Sequence, residues 1–76
     1  MDELELKTLR KSVRRAKRIA SEHAAKLHDL VEDRLPSDYQ DIPQLAEDCY
    51  GACQTWAHLN AQLNAAEAEA EVPQKS

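Results

Sequence analysis

The sequence predicts an all-α fold, an antiparallel two-helix hairpin that dimerises into a four-helix bundle. Among its 76 residues are one Gly, twelve Ala and no Phe, and 32% are charged, a composition that favours helix over sheet. Apolar residues recur three and four apart along two long stretches, the spacing of one helix face. A chain this short cannot close a sizeable core without a second subunit, a metal or a disulfide.

Helix one is expected at about 3–35. Leu6, Leu9, Val13, Ala16, Ala20, His23, Leu27 and Leu30 keep one seam for nearly four heptads. Leu35 precedes Pro36, whose ring disfavours helical geometry in the residue before it. In the connection "LPSDYQDIP", Ser37 and Gln40 can frame one short extra turn. Helix two is expected at about 42–70, with its seam on Ile42, Leu45, Cys49, Ala52, Trp56, Leu59, Leu63 and Ala66. Asp41 can cap it, Gln44 can reach back as in a capping box, and Pro43 is tolerated in the first turn. The whole chain, 1–76, reads as one domain with a frayed tail at 72–76.

So short a connection folds the helices back on each other. A turn centred near residue 40 places Cys49 opposite Val31, Cys53 opposite Leu27, His23 near Ala57, and Glu67, Glu69 and Glu71 near Val13, Lys11 and Leu9. Ala46, Tyr50, Cys53, Ala57 and Ala61 widen the apolar face of helix two to roughly 160°, counting ~100° per residue. One neighbouring helix does not cover that width, and a twofold dimer does.

Cys49 and Cys53 raise the question of chemistry. Their spacing is not that of a C-x-x-C redox pair, and adjacent helical turns orient a disulfide poorly. Zinc needs two further ligands, while His28 and His58 project away from the seams. Packed structural thiols are the expected reading. Gly51 between them costs about 1 kcal/mol relative to Ala in a helix interior, and close approach by another helix is its explanation. His23, a polar residue on a seam, is read as fixing register and stacking on Trp56 rather than binding metal. The Glu-x-x-His signature of di-iron bundles, a Gly-rich phosphate loop and a nucleophile with its base are all missing from the sequence. A non-enzyme with no cofactor and no metal is expected.

Charge is unevenly spread despite a net of −4. Seven basic residues and no acid lie between Lys7 and Arg18, with Lys7, Lys11, Arg14 and Arg18 on one face, a stripe able to track phosphates. The acidic end of helix two can neutralise part of it. Around the turn, Asp29, Glu32, Asp33, Asp38, Asp41, Glu47 and Asp48 stand against Arg34 alone, and an acidic tip suits a basic protein surface. "MDELELKTLRK" has no apolar core of a signal peptide and no stretch has membrane-spanning length, so a cytoplasmic protein with reduced thiols is expected.

Residues 27–50 resemble the small Rop-like helical-hairpin family encoded in nitrogen-fixation gene clusters. The matching positions are Leu27, His28, Asp29, Leu30, Glu32, Asp33, Leu35, Pro36, Tyr39, Ile42, Pro43, Leu45, Ala46 and Tyr50. Tyr39 stands where that family has Trp, and Arg34 is an extra residue before Leu-Pro. The resemblance implies a self-associating hairpin with an accessory role around nitrogenase or its assembly, and supplies no catalytic residues. The expected function is therefore a non-catalytic module that binds a nitrogenase component or assembly protein and holds one of its maturation or conformational states. Its docking residues are expected among Asp29, Glu32, Asp33, Asp38, Lys7, Lys11, Arg14 and Arg18, and its hairpin and dimer core among Leu9, Val13, His23, Leu27, Leu30, Leu45, Cys49, Trp56, Leu59 and Leu63. The alternative is a Rop-like RNA-binding dimer using the basic stripe, which rests on fold analogy. A metal carrier through His23 or the cysteines ranks third.

Overall fold

A computed structural model describes residues 2–71, with side chains through Glu69; the expected frayed tail at 72–76 lies outside the described residues. Asp2 is extended, and its carboxylate accepts the Glu5 N–H at 2.8 Å. That cap starts helix α1 (Glu3–Asp29) by satisfying one of its free N–H groups. Glu3 and Glu5 in the first turn, with Lys26 and His28 in the last, complement the helix dipole.

Past Asp29 the helix widens into a π turn, Leu30–Arg34, before Leu35 adopts the extended conformation that Pro36 imposes. A π turn closes its hydrogen bonds one residue further along than an α turn. Arg34 closes that turn without breaking the arm. Residues 35–38 reverse the chain, with a cis Leu35–Pro36 peptide. The Asp38 N–H donates to the Arg34 carbonyl at 2.8 Å. A 3-10 turn, Tyr39–Asp41, then runs directly into helix α2 (Ile42–Glu71). The Ile42 N–H donates to the Tyr39 carbonyl, so the preceding turn already serves the start of α2. The expected capping box does not form. Gln44 donates forward to Asp48 at 2.8 Å, and the Asp41 carboxylate faces Arg34.

Because residues 39–41 belong to the second arm, the reversal is centred near 36 and 37 rather than 40, and cross-helix pairing shifts by about a turn. Glu67 meets Arg10 instead of Val13, with Nε and Nη2 both 3.1 Å from its carboxylate. Cys53 shares a groove with Ala20 and Ala24 rather than facing Leu27, and Val31, the expected neighbour of Cys49, is 59% exposed. His23 lines a groove with Gly51 and Asp48.

The seam itself is as predicted. Every α1 seam residue from Leu6 to Leu30 is buried or half-buried, as is every α2 seam residue from Leu45 to Ala66. Ile42 departs, 38% exposed; it stands roughly 80° around α2 from Ala52, at ~100° per residue, where one facing helix does not reach. Yet only Val13, Ala16, Leu30 and Ala66 are buried among the described residues. The rod measures 61 × 18 × 16 Å and exposes 5942 Å². A compact monomer of this mass exposes about 4,700 Å². The excess of roughly 1,200 Å² is larger than the about 800 Å² each partner gives up in a standard interface.

Leu30, fully buried where α1 widens, is the side chain with most to lose. Leu30→Ala is expected to lower stability in urea by about 3 kcal/mol. Arg10→Ala, which opens an exposed ion pair, is expected to cost under about 1 kcal/mol.

Candidate functional site

The tip carries the acids that the sequence assigns to it, but two basic groups organise them. Arg34, at the end of the π turn, has Nε 3.7 Å from Asp38 Oδ2 and Nη2 3.9 Å from Asp41 Oδ2. His28 Nε2 lies 2.8 Å from Glu32, one turn along α1, and its Nδ1 lies 3.7 Å from Asp29. Of the four tip residues expected to dock a partner, Asp29, Glu32 and Asp38 are thus already engaged, and Asp33 makes no ion pair among the described residues. Glu47 makes none either. These are exposed pairs of small worth, so a partner's cations can displace them. Tyr39 and Tyr50, 61% and 70% exposed, add amphipathic surface at the same end, and sequence reading did not single them out as contacts. Their signal was in the chain, since two of its three aromatic residues flank the start of α2.

Lys7, Lys11, Arg14 and Arg18 are all exposed on α1, and none forms an ion pair among the described residues. At the acidic end of α2, Glu67 pairs with Arg10 rather than with any of these four. The side chain of Glu71 lies outside the described ones. The stripe is thus solvated and geometrically able to meet an anionic surface.

Among the core residues named from sequence, Val13 and Leu30 are buried, and Leu9, His23, Leu27, Leu45, Cys49, Trp56, Leu59 and Leu63 are half-buried. The widened face, Ala46, Tyr50, Cys53, Ala57 and Ala61, is exposed throughout. A Cβ on Gly51 would meet nothing within 4 Å, so α1 does not make the close approach expected there.

Cys49 is half-buried and Cys53 exposed, both as free thiols. Partial burial pushes the Cys49 thiol above its ordinary value, and the neighbouring Cys53 adds to the shift. A raised value keeps Cys49 neutral, which suits packing better than nucleophilic or ligand chemistry. Since the folded chain holds that proton more tightly than the unfolded one, stability is full below the ordinary thiol range and declines as pH rises through it. Iodoacetamide at mildly alkaline pH is expected to label Cys53 well before Cys49, read by peptide mass spectrometry. Equal rates would contradict this ordering.

No helix among the described residues is long and apolar enough to cross a membrane. No curated protein and no solved structure matches the chain. The Rop-like family model matches residues 4–68, from the first turn of α1 almost to the end of α2 and across the whole turn. This match covers both arms and the acidic tip, and the chain belongs to the Rop-like family.

Proposed function

We propose that this hairpin is a non-catalytic nitrogen-fixation accessory protein of the cytoplasm. It self-associates, binds a nitrogenase component or an assembly factor, and holds one maturation or conformational state of that target. The observation that carries the reading is the tip: seven carboxylates around a rigid reversal, answered by Arg34 and His28 only, with Asp33 and Glu47 unpaired among the described residues. Such an end attracts a basic protein surface and speeds encounter with it. The resemblance of residues 27–50 to hairpins encoded beside nitrogenase genes supports the choice of partner. A binder of this size acts only by preferring one state of its target over another. A second reading, RNA binding, is favoured by the solvated stripe of Lys7, Lys11, Arg14 and Arg18.

A pull-down from nitrogen-fixing cell extract, run against resting, damaged and incompletely assembled nitrogenase, separates these readings. The protein is expected to recover a nitrogen-fixation component, unequally across those states. The variant Asp29→Asn, Glu32→Gln, Asp33→Asn and Asp38→Asn is expected to associate more slowly. Recovery of no nitrogen-fixation protein sinks the reading; equal recovery by the variant sinks only the role of the tip. A gel shift with RNA that weakens steeply between about 50 and 200 mM salt, and disappears when the four stripe residues are neutralised, would favour the alternative.

A further inference from the structure

Helix α2 carries two free thiols one turn apart, Cys49 and Cys53, and neither the tip nor the basic stripe uses them. Residues four apart lie on one helix face, with Cβ atoms about 5–6 Å from each other. The two thiols meet on that face, since Cys53 adds to the upward shift of Cys49. Cys49 is half-buried in the seam, while Cys53 is exposed and opens the pair to solvent. The rod has an apolar trough along Ile19, Ala52 and Thr55, and a separate groove that Cys53 lines with Ala20, Ala24, Trp56 and Lys17. No carboxylate or imidazole lines that second groove, and no group of three or more His, Cys, Asp and Glu able to hold a metal lies among the described residues. An ion bound to this pair therefore takes two sulfur ligands from the chain.

We infer that Cys49 and Cys53 form a two-sulfur site for copper(I), the ion bridging adjacent turns of α2. Thiolates suit copper(I), zinc and iron–sulfur centres. Zinc and iron–sulfur centres in structural sites draw on four protein ligands, so a pair with no third donor leaves the soft monovalent ion. Span favours an ion over a direct bond. A disulfide needs Cβ atoms about 3.5–4.5 Å apart, closer than one helical turn sets them. Inserting an ion replaces one S–S bond of about 2 Å by two metal–sulfur bonds of about 2.3 Å each, the value for zinc thiolates, and the helix need not unwind. Binding is proton exchange without electron transfer: two S–H bonds break, two Cu–S bonds form, and two protons leave to solvent. The loaded site carries a net charge of −1, and Lys17, on the groove that Cys53 lines, is the cation placed to offset it. Packing with a neutral Cys49 describes the free chain; the ion displaces that proton as it binds. The site stands apart from any protein partner and does not rest on the function proposed above.

Anaerobic titration of the reduced full chain with copper(I), in competition with a chromogenic copper(I) chelator, tests the site. One copper(I) per chain is expected, with quenching of Trp56, the chain's only tryptophan, which lines the groove beside Cys53. Cys49→Ser and Cys53→Ser are each expected to weaken binding by more than the about 10–100-fold that loss of an outer-shell partner costs. Cys53 is exposed, so Cys53→Ser keeps the helical circular dichroism and its loss of binding is not a loss of folding. Zinc at equal concentration is expected not to displace the copper. Wild-type affinity in the double variant Cys49→Ser with Cys53→Ser would overturn the site by placing the copper elsewhere on the chain. A stoichiometry of one copper per two chains would overturn the bridge within one helix, and displacement by zinc would overturn the two-sulfur coordination.

Discussion

Two helices joined by a short turn share one contact line, and everything else in this chain follows from how little that line can hide. A helix seated against a single neighbour buries one narrow stripe. Here that stripe is filled with care, small Ala16 and Ala66 alternating with Val13 and Leu30, and these four are the buried residues among those described. Trp56, Leu59, Leu63, Leu9 and Leu27 lie on the same line but keep one side in water. At about 25 cal/mol per Å² of apolar surface removed from water, side chains left half exposed forfeit much of their contribution. The hairpin is a surface looking for cover, and its function has to be sought in what covers it.

The reversal sets which residues share a level. By widening α1 into a π turn and entering α2 through a 3-10 turn, the chain spends residues 30–34 and 39–41 inside the arms and leaves only residues 35–38 to turn. That places Arg34 where it faces Asp38 and Asp41, and sets His23 along the same groove as Gly51. A loop of the same length made wholly of irregular backbone would have left Arg34 free and moved every pair along the rod by about a turn.

The sequence made the arms legible and the turn only partly so. Periodicity reports the phase of a residue around its own helix, and phase was enough to name the buried line correctly from Leu6 to Leu30 and from Leu45 to Ala66. It carries no information about axial offset between helices, which is why Glu67 meets Arg10 rather than Val13. Offset depends on how many turn residues stay helical, and hydrogen bonds such as Asp38 N–H to Arg34 decide that. The tip charges could be read from composition and the spacing of His28 and Glu32 from one helical turn, whereas the meeting of Arg34 with Asp38 and Asp41 depends on a π turn and a reversal that no local propensity announces. Of the resemblance read between Leu27 and Tyr50, the Rop-like hairpin is the part that the family match over residues 4–68 carries.

The two charged regions and the apolar flank occupy different parts of the rod, and their separation has a mechanical consequence. The trough along Ile19 and Thr55 leaves the tip clear, since Asp29, Glu32, Asp33 and Asp38 belong to the end of the first arm and the reversal rather than to that flank. The tip is held by exposed contacts worth little individually, so His28 and Arg34 can release their carboxylates to a cationic surface at small cost. A short hairpin with so thin a core keeps its acidic tip and its apolar flank on separate surfaces, so a change to one can leave the other intact.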